Sequence, residues 1–277
     1  VGQSDIVIHF AAETHVTRSI FDDSLFFESD VIGTQRVANA VLIHRDTVER
    51  FVHISTSEVY GTALKEPMDE EHLLIPQSPY AAAKAGADRL VASYYITHKI
   101  PAVIIRPFNM FGPRQHLEKV IPRFITSCLL GEPLTVHGSG DSQRDFSYVD
   151  DLARAIDMII QAPAEQVVGE IFNVVSGEAR SINDIARLIM TFMNEQGIPI
   201  RHTTFALNIG DRPGQVFKHI AAIKKIHDRL GWRPLTSFED GLRQTIAWYM
   251  ANEEWWKNKL WMRSIPIQTT DGKIELH

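Results

Sequence analysis

Near-continuous apolar runs and helical stripes alternate along the first half of the chain. Asp5 to Ala11, Phe51 to Ser57 and Ala102 to Arg106 read as strands, the first part of each apolar enough to be covered on both faces. Between the first two, from Asp22 to His44, the period becomes helical, with Leu25, Phe26, Ser29, Val37, Ala40 and Val41 spaced for one buried stripe. Tyr80 to His98 is helical again and leads into the third strand. This alternation predicts an α/β fold on a parallel, doubly wound sheet.

The second half is more varied. Ile121, Phe124, Ile125, Cys128 and Leu129 share one face of a helix that ends at Gly131, and Thr135-Val136-His137 is a strand running into Gly138-Ser139-Gly140. Val149 to about Gln161 is amphipathic, Glu170 to Val174 returns to the sheet, and Ser181 opens a helix reaching Glu195. Trp248, Trp255, Trp256 and Trp261 near the end are expected to pack in a core or lid. No repeat or linker separates the halves. The expected division is therefore residues 1–108 as the sheet domain and 109–277 as a smaller α+β lobe interleaved with returns to the sheet.

Candidate chemistry lies where the second strand breaks into Ser55-Thr56-Ser57-Glu58-Val59-Tyr60-Gly61. Small hydroxyls and a carboxylate at a strand tip mark the place where open α/β sheets bind ligands. Thr56 and Glu58, two apart, would share one side of the pleat. Downstream, Ser78 reads as an N-cap and Pro79 as the first helical residue, which sets Tyr80 and Lys84 on one face. An ammonium beside a phenol favours the phenolate and moves a tyrosine from about 10 toward the range of a general base.

Composition narrows the partners. The 277 residues are 44% hydrophobic and 22% charged, enough for a sizeable core, and the net charge of −6 with no basic stripe argues against a nucleic acid or an anionic membrane surface. The single Cys128 offers no disulfide framework, and neither a signal peptide nor an apolar run of about 18 residues is present, so the chain reads as cytoplasmic. No His-Glu-x-x-His or similar spacing occurs, and no metal is expected.

Taken together, Ile8 to Val16, Gly33-Thr34, the two stretches around Thr56 and Tyr80, Arg106 to Gln115, Arg144-Asp145-Phe146 and Asp211-Arg212-Pro213-Gly214 resemble the extended short-chain dehydrogenase/reductases of the NAD-dependent epimerase/dehydratase family. Within it they resemble the sugar-nucleotide 4,6-dehydratases, dTDP-glucose-like ones above all. The resemblance implies a Rossmann-like sheet, NAD as cofactor, a nucleotide-diphosphate sugar as substrate, homodimers, and a lyase reaction. Oxidation at carbon 4 acidifies the hydrogen on carbon 5, water leaves across carbons 5 and 6, and the hydride returns to carbon 6. By position, Tyr80, Lys84, Thr56, Ser57 and Glu58 resemble the catalytic residues, and Ala11, Ala12 and Ser29, with Tyr80 and Lys84, the cofactor contacts. His15, Thr56, Asn109, Lys119, Val120, Thr135, His137, Arg144 and Arg212 resemble the substrate contacts.

Two departures follow from the same resemblance. Family members acting on dTDP-glucose carry an aspartate where this chain has Ser57, which keeps UDP-glucuronate decarboxylase and C4-epimerase as alternatives beside a non-catalytic sugar-nucleotide binder and a simple ketoreductase. The chain also begins at the family's fourth strand and contains no Gly-x-Gly-x-x-Gly. Roughly 60 residues, about two βαβ units, are expected to precede it, and the dinucleotide is expected to bind this chain poorly by itself.

Overall fold

The structure, a computed structural model, describes residues 1–198, 207–209, 218–263, 266–268 and 273–276. The chain opens with β1 (Ile6–His9) and α1 (Val16–Phe21). A single long helical rod follows, made of α2 (Ser24–Phe26), a π-helical turn (Phe27–Ile32) and α3 (Gly33–Ile43). Then come β2 (Arg50–Ile54), a 3-10 turn (Ser57–Tyr60), α4 (Pro79–His98) and β3 (Ala102–Pro107). The excursion after β3 contains β4 (Asn109–Phe111), α5 (Val120–Leu130), β5 (Thr135–His137), β6 (Gln143–Tyr148), α6 (Val149–Gln161) and α7 (Ala164–Val167) before β7 (Ile171–Val174). After β7 come β8 (Ala179–Ser181), α8 (Ile182–Glu195), β9 (Leu207–Ile209), β10 (Lys218–His219), α9 (Lys224–Leu230), α10 (Phe238–Ala251) and α11 (Glu253–Lys257).

The main sheet has the order β1-β2-β3-β7 and is parallel throughout, with His9 opposite His53, Ile54 opposite Ile105, and Arg106 opposite Asn173. Every residue of β2 is buried, Arg50 and His53 with the apolar Phe51, Val52 and Ile54, as in a central strand covered on both faces. Alternation then divides the residues. Val52, Ile54, Val103 and Ile105 pack with Ile156 and Ile159 of α6 and with Trp232, whereas Phe51, Ala102 and Ile104 pack with Ala38 and Val41 of α3 and Val91 of α4. Helices thus cover both faces, as in a doubly wound fold.

A second core forms beyond the sheet, where Ile121, Phe124 and Ile125 of α5, Ile185 and Ile189 of α8, and Leu242 and Ile246 of α10 meet Phe111 and Phe146. Its small sheet runs β10-β6-β4, with β8 antiparallel on β6, and β5 pairs with β9 alongside.

The helical rod departs from the expected stripe. Phe26, Asp30, Thr34, Ala38 and Val41 face inward, while Leu25, Ser29, Val37 and Ala40 are only half-buried. A π turn carries more residues than an α turn, so it rotates the inward face by one position and puts a carboxylate where the helical period placed Ser29. The alanines of α4 also face inward: Ala81, Ala83, Ala85 and Ala87 are buried within this chain.

Candidate active site

Strand β2 ends at Ile54, so Thr56 and Glu58 do not share a pleat as their spacing suggests. Thr56 is extended and caps the 3-10 turn, its hydroxyl accepting from the Glu58 amide at 3.3 Å, and Gly61 closes the turn at φ 69. The turn, not the strand, presents Glu58. A side chain at Gly61 would put its Cβ 2.0 Å from the Ile75 carbonyl oxygen, so glycine is required here on both counts.

Helix α4 starts as its sequence demands: the Ser78 hydroxyl accepts from the Ala81 amide at 3.1 Å and Pro79 occupies the first turn. Tyr80, Lys84 and Asp88 follow at four-residue intervals on its buried face. The Lys84 ammonium donates to the Ile54 carbonyl at 2.8 Å, tying the helix to the tip of β2. Asp88 accepts from Ser55 at 2.7 Å and from the Arg106 guanidinium at 2.9 and 3.0 Å. Arg106 also donates to Tyr60, whose hydroxyl donates to Asn173, and the Asn173 amide donates to Glu70. This chain of buried bonds fixes β2, β3, β7 and the 3-10 turn against α4, so Arg106 serves as scaffold and lies outside the cavity lining.

A cavity of about 320 Å³ opens between the sheet tips and the second core. Thr56, Glu58 and Tyr80 line one side; His15, Asn109, Lys119, Val120, Thr135, His137 and Arg144 line the rest. Glu118, Arg123 and Gln115 also line it, and sequence reading did not single them out as contacts. The periodicity of α5 marks Arg123 as a helix surface, but nothing local shows that this surface faces a cleft. Ser57 and Lys84 are buried and outside the cavity lining, and Ala11, Ala12 and Ser29 also lie outside it. Arg212 lies outside the described residues.

The electrostatics divide the cavity into two ends. Burial holds the Tyr80 phenol well above its usual range, Thr56 opposes this with a hydrogen bond, and the charges of Glu58 and Asp30 add to the rise. Burial also lowers Lys84, while Asp30 and Asp88 favour its charged form. The Lys84 ammonium expected to favour the phenolate is not among the groups that act on Tyr80 in the ligand-free site, and Tyr80 rests protonated. At the other end His15 caps α1 through its Nδ1 and touches Glu118. Burial and the charges of Lys119, His116 and Arg18 push its imidazole down to about 3, so it stays neutral. Lys119 donates to the Thr14 carbonyl at 3.1 Å and pairs with Glu118 at 3.1 Å, closing the rim. The first turn of α5, which has no side-chain cap, opens beside it.

A tyrosine and a lysine one helical turn apart, set against the tip of a doubly wound sheet, define a protein of the short-chain dehydrogenase/reductase type. The chain belongs to the GDP-mannose 4,6-dehydratase family, whose sequence pattern matches residues 2–245. It is 37% identical over 257 residues to dTDP-glucose 4,6-dehydratase of Streptomyces niveus, covering 93% of this chain and 73% of that protein. It is 36% identical to dTDP-D-glucose 4,6-dehydratase of Homo sapiens, covering 92% and 71%. Among solved structures, the dTDP-glucose 4,6-dehydratase of Streptomyces venezuelae with NAD bound superposes with a TM-score of 0.83 at 36% identity, over 92% of this chain and 76% of that one. A UDP-glucuronic acid 4-epimerase from Bacillus cereus, in complex with UDP-glucuronic acid and NAD, gives 0.82 at 30% identity, over 89% and 76%.

The residues present fit the nicotinamide end of NAD. The buried Lys84 ammonium and the Asp30 carboxylate, one oxygen of which has no partner within the protein, are the groups that sugar hydroxyls of a cofactor can satisfy.

Proposed function

We propose that the protein is an NAD-dependent nucleotide-sugar 4,6-dehydratase, a lyase resembling the dTDP-glucose enzymes. The observation that carries this reading is that Tyr80 and Glu58 line one cavity together with Thr56, Lys119 and Arg144. A binder needs the cations alone, and a ketoreductase needs no second base.

The sugar diphosphate lies toward Lys119, Arg144 and the uncapped first turn of α5, where amides, an ammonium and a guanidinium all favour an anion. Asn109, whose amide donates to the Asp145 carbonyl at 3.1 Å, borders this end, and Thr135 and His137 frame the base. His15 faces the sugar. Ala11, Ala12, Ser29, Tyr80 and Lys84 hold the cofactor; bound NAD supplies the acceptor for the hydride leaving carbon 4 and returns it at carbon 6. Tyr80 takes the proton of the 4-hydroxyl, with Thr56 fixing that oxygen and Lys84 favouring the phenolate. Glu58 removes the hydrogen from carbon 5. Because Ser57 is buried off the cavity, Glu58, once protonated, also supplies the proton to the departing hydroxyl, and carbon 5 takes a proton back as hydride reaches carbon 6, which balances the one Tyr80 took from the 4-hydroxyl.

The serine at position 57 favours, as a second reading, a family member that needs no separate acid, a C4-epimerase or a decarboxylase acting on UDP-glucuronate. Incubation of the enzyme with dTDP-glucose, GDP-mannose and UDP-glucuronate without added cofactor separates these. A 4-keto-6-deoxy sugar absorbing in alkali is expected; an epimer or released carbon dioxide would overturn the dehydratase reading.

We further propose residues 1–108 as the cofactor-binding part and 109–277 as mainly the substrate lobe. A homodimer pairing through the outer row of α4, where Gly86, Arg89, Ser93 and Ile96 are exposed, completes the assembly. A cytoplasmic setting agrees with one free cysteine and with the lack, among the described residues, of any helix long and apolar enough to cross a membrane.

A further inference from the structure

A guanidinium stays ionised at any ordinary pH, so one that lines a cavity without a counter-charge carries a standing desolvation cost. Lys119 and Arg123 lie four residues apart at the start of α5, the Arg123 amide donating to the Lys119 carbonyl at 2.9 Å, and both line the cavity. They differ in what balances them. Lys119 pairs with Glu118 at 3.1 Å. Arg123 pairs with no carboxylate among the described residues: its Nη1 donates to the Arg263 carbonyl at 2.8 Å, and its buried Nε has no partner.

The protein nevertheless holds this side chain in place. Arg263 is 6% exposed and donates to Ser127 at 2.7 Å and to Glu132 at 2.5 Å, so its backbone carbonyl is a fixed anchor for Arg123. Two adjoining guanidiniums thus share the one carboxylate of Glu132, and a positive charge at this wall is left unmatched.

Resting on the nucleotide-sugar reading, which the dehydratase shares with the epimerase and the decarboxylase, we propose that Arg123 is a specificity-determining contact that binds an anionic group of the substrate. The chemistry is that of an oxyanion, either the diphosphate or a carboxylate at carbon 6 of a uronate sugar. The Arg263 carbonyl occupies one N–H of the fork, and the remaining N–H groups serve for two-point contact with the oxyanion. The uncapped first turn of α5 lies one helical turn away and adds amides of the same sense. Burial and the charge of Arg263 lower Arg123 to about 10, Glu132 opposing, and a bound anion acts against both causes. The two sources select differently. A diphosphate is common to every nucleotide sugar and adds affinity; a carboxylate separates uronates from neutral hexoses.

Calorimetric titration of the wild type, Arg123→Leu and Arg123→Lys with thymidine, dTDP, UDP-glucose and UDP-glucuronate tests the contact. Leucine keeps the apolar stem and removes the charge; lysine keeps the charge and loses the fork. For a diphosphate contact, Arg123→Leu binds dTDP more weakly by about tenfold or more, thymidine is unaffected, and Arg123→Lys falls between. For a carboxylate contact, dTDP binds all three proteins alike, the wild type prefers UDP-glucuronate to UDP-glucose by about tenfold or more, and Arg123→Leu binds the two equally. Should Arg123→Leu fail to fold, Arg123→Lys decides by the same comparisons. Affinities within about twofold of the wild type for all four ligands, or an equal loss for thymidine and dTDP, overturn the contact and leave the nucleotide-sugar reading intact. A wild-type protein that binds none of the four removes that reading and the contact with it.

Discussion

Glu58 is offered to the cavity by a single 3-10 turn, and its assigned work begins only after carbon 4 is oxidised. Glu58→Gln should therefore permit the first half-reaction and stall the second. Mixing the variant with substrate should let reduced-nicotinamide absorbance build up and persist, with product formation down about a hundredfold or more. Equal loss of both half-reactions would remove Glu58 from the role. His53 makes a different demand. It is enclosed between β1 and β3, its ring 5.5 Å from that of His9, and neither ring nitrogen has a partner. Burial holds it neutral, well below the ordinary 6.5, with Lys84 and His9 adding to the effect and Asp88 opposing. The unfolded chain thus binds a proton below pH 6.5 that the folded chain does not, and stability falls as pH drops through that value. Denaturant titrations between pH 6.5 and 5 should show His53→Phe with a slope smaller by about 1.4 kcal/mol per pH unit, whatever its absolute stability.

At the scale of elements, the 3-10 turn has the least freedom. Gly61→Ala forces a Cβ against the Ile75 carbonyl and a positive φ on alanine, and should cost about 1–3 kcal/mol in a thermal or denaturant scan. Because the same turn carries Glu58, kcat should fall more than KM rises. The helices α4, α6 and α8 were legible in the sequence nearly to the residue, since Ser78 and Ser181 are side-chain caps and the stripes of α6 and α8 are regular. Two local features were not. A π turn has no signature in a 3.6-residue period, so Ser29 was read as the inward residue and Asp30 escaped notice. Likewise a run of Ser, Thr and Glu after an apolar strand does not show where the pleat stops, and Thr56 and Glu58 were placed by an alternation that ends at Ile54. That Thr56, Glu58 and Tyr80 come together was legible because their spacing is local to one helix and the end of one strand. Arg123 and Glu118 were not, because their place in the cavity depends on how two cores meet.

At the scale of the whole molecule, β1 is an edge of the main sheet among the described residues, pairing there only with β2, and Ile6, Ile8 and Phe10 are 37%, 39% and 55% exposed along it. An apolar edge of this kind accepts a further strand.

The route of the backbone through the sheet also has a consequence for synthesis. The polypeptide leaves the sheet at Pro107 and returns only at Ile171, after most of the far cavity wall has been laid down. On the ribosome, the helix bearing Tyr80 and Lys84 emerges early, but the Asn173 that locks Tyr60 and Glu70 emerges much later. A nascent chain halted before that point carries its chemistry on three strands with one flank unfinished. Competence therefore arrives in one late closing event, and slow translation between residues 109 and 171 lengthens the interval in which that flank stands open to chaperones.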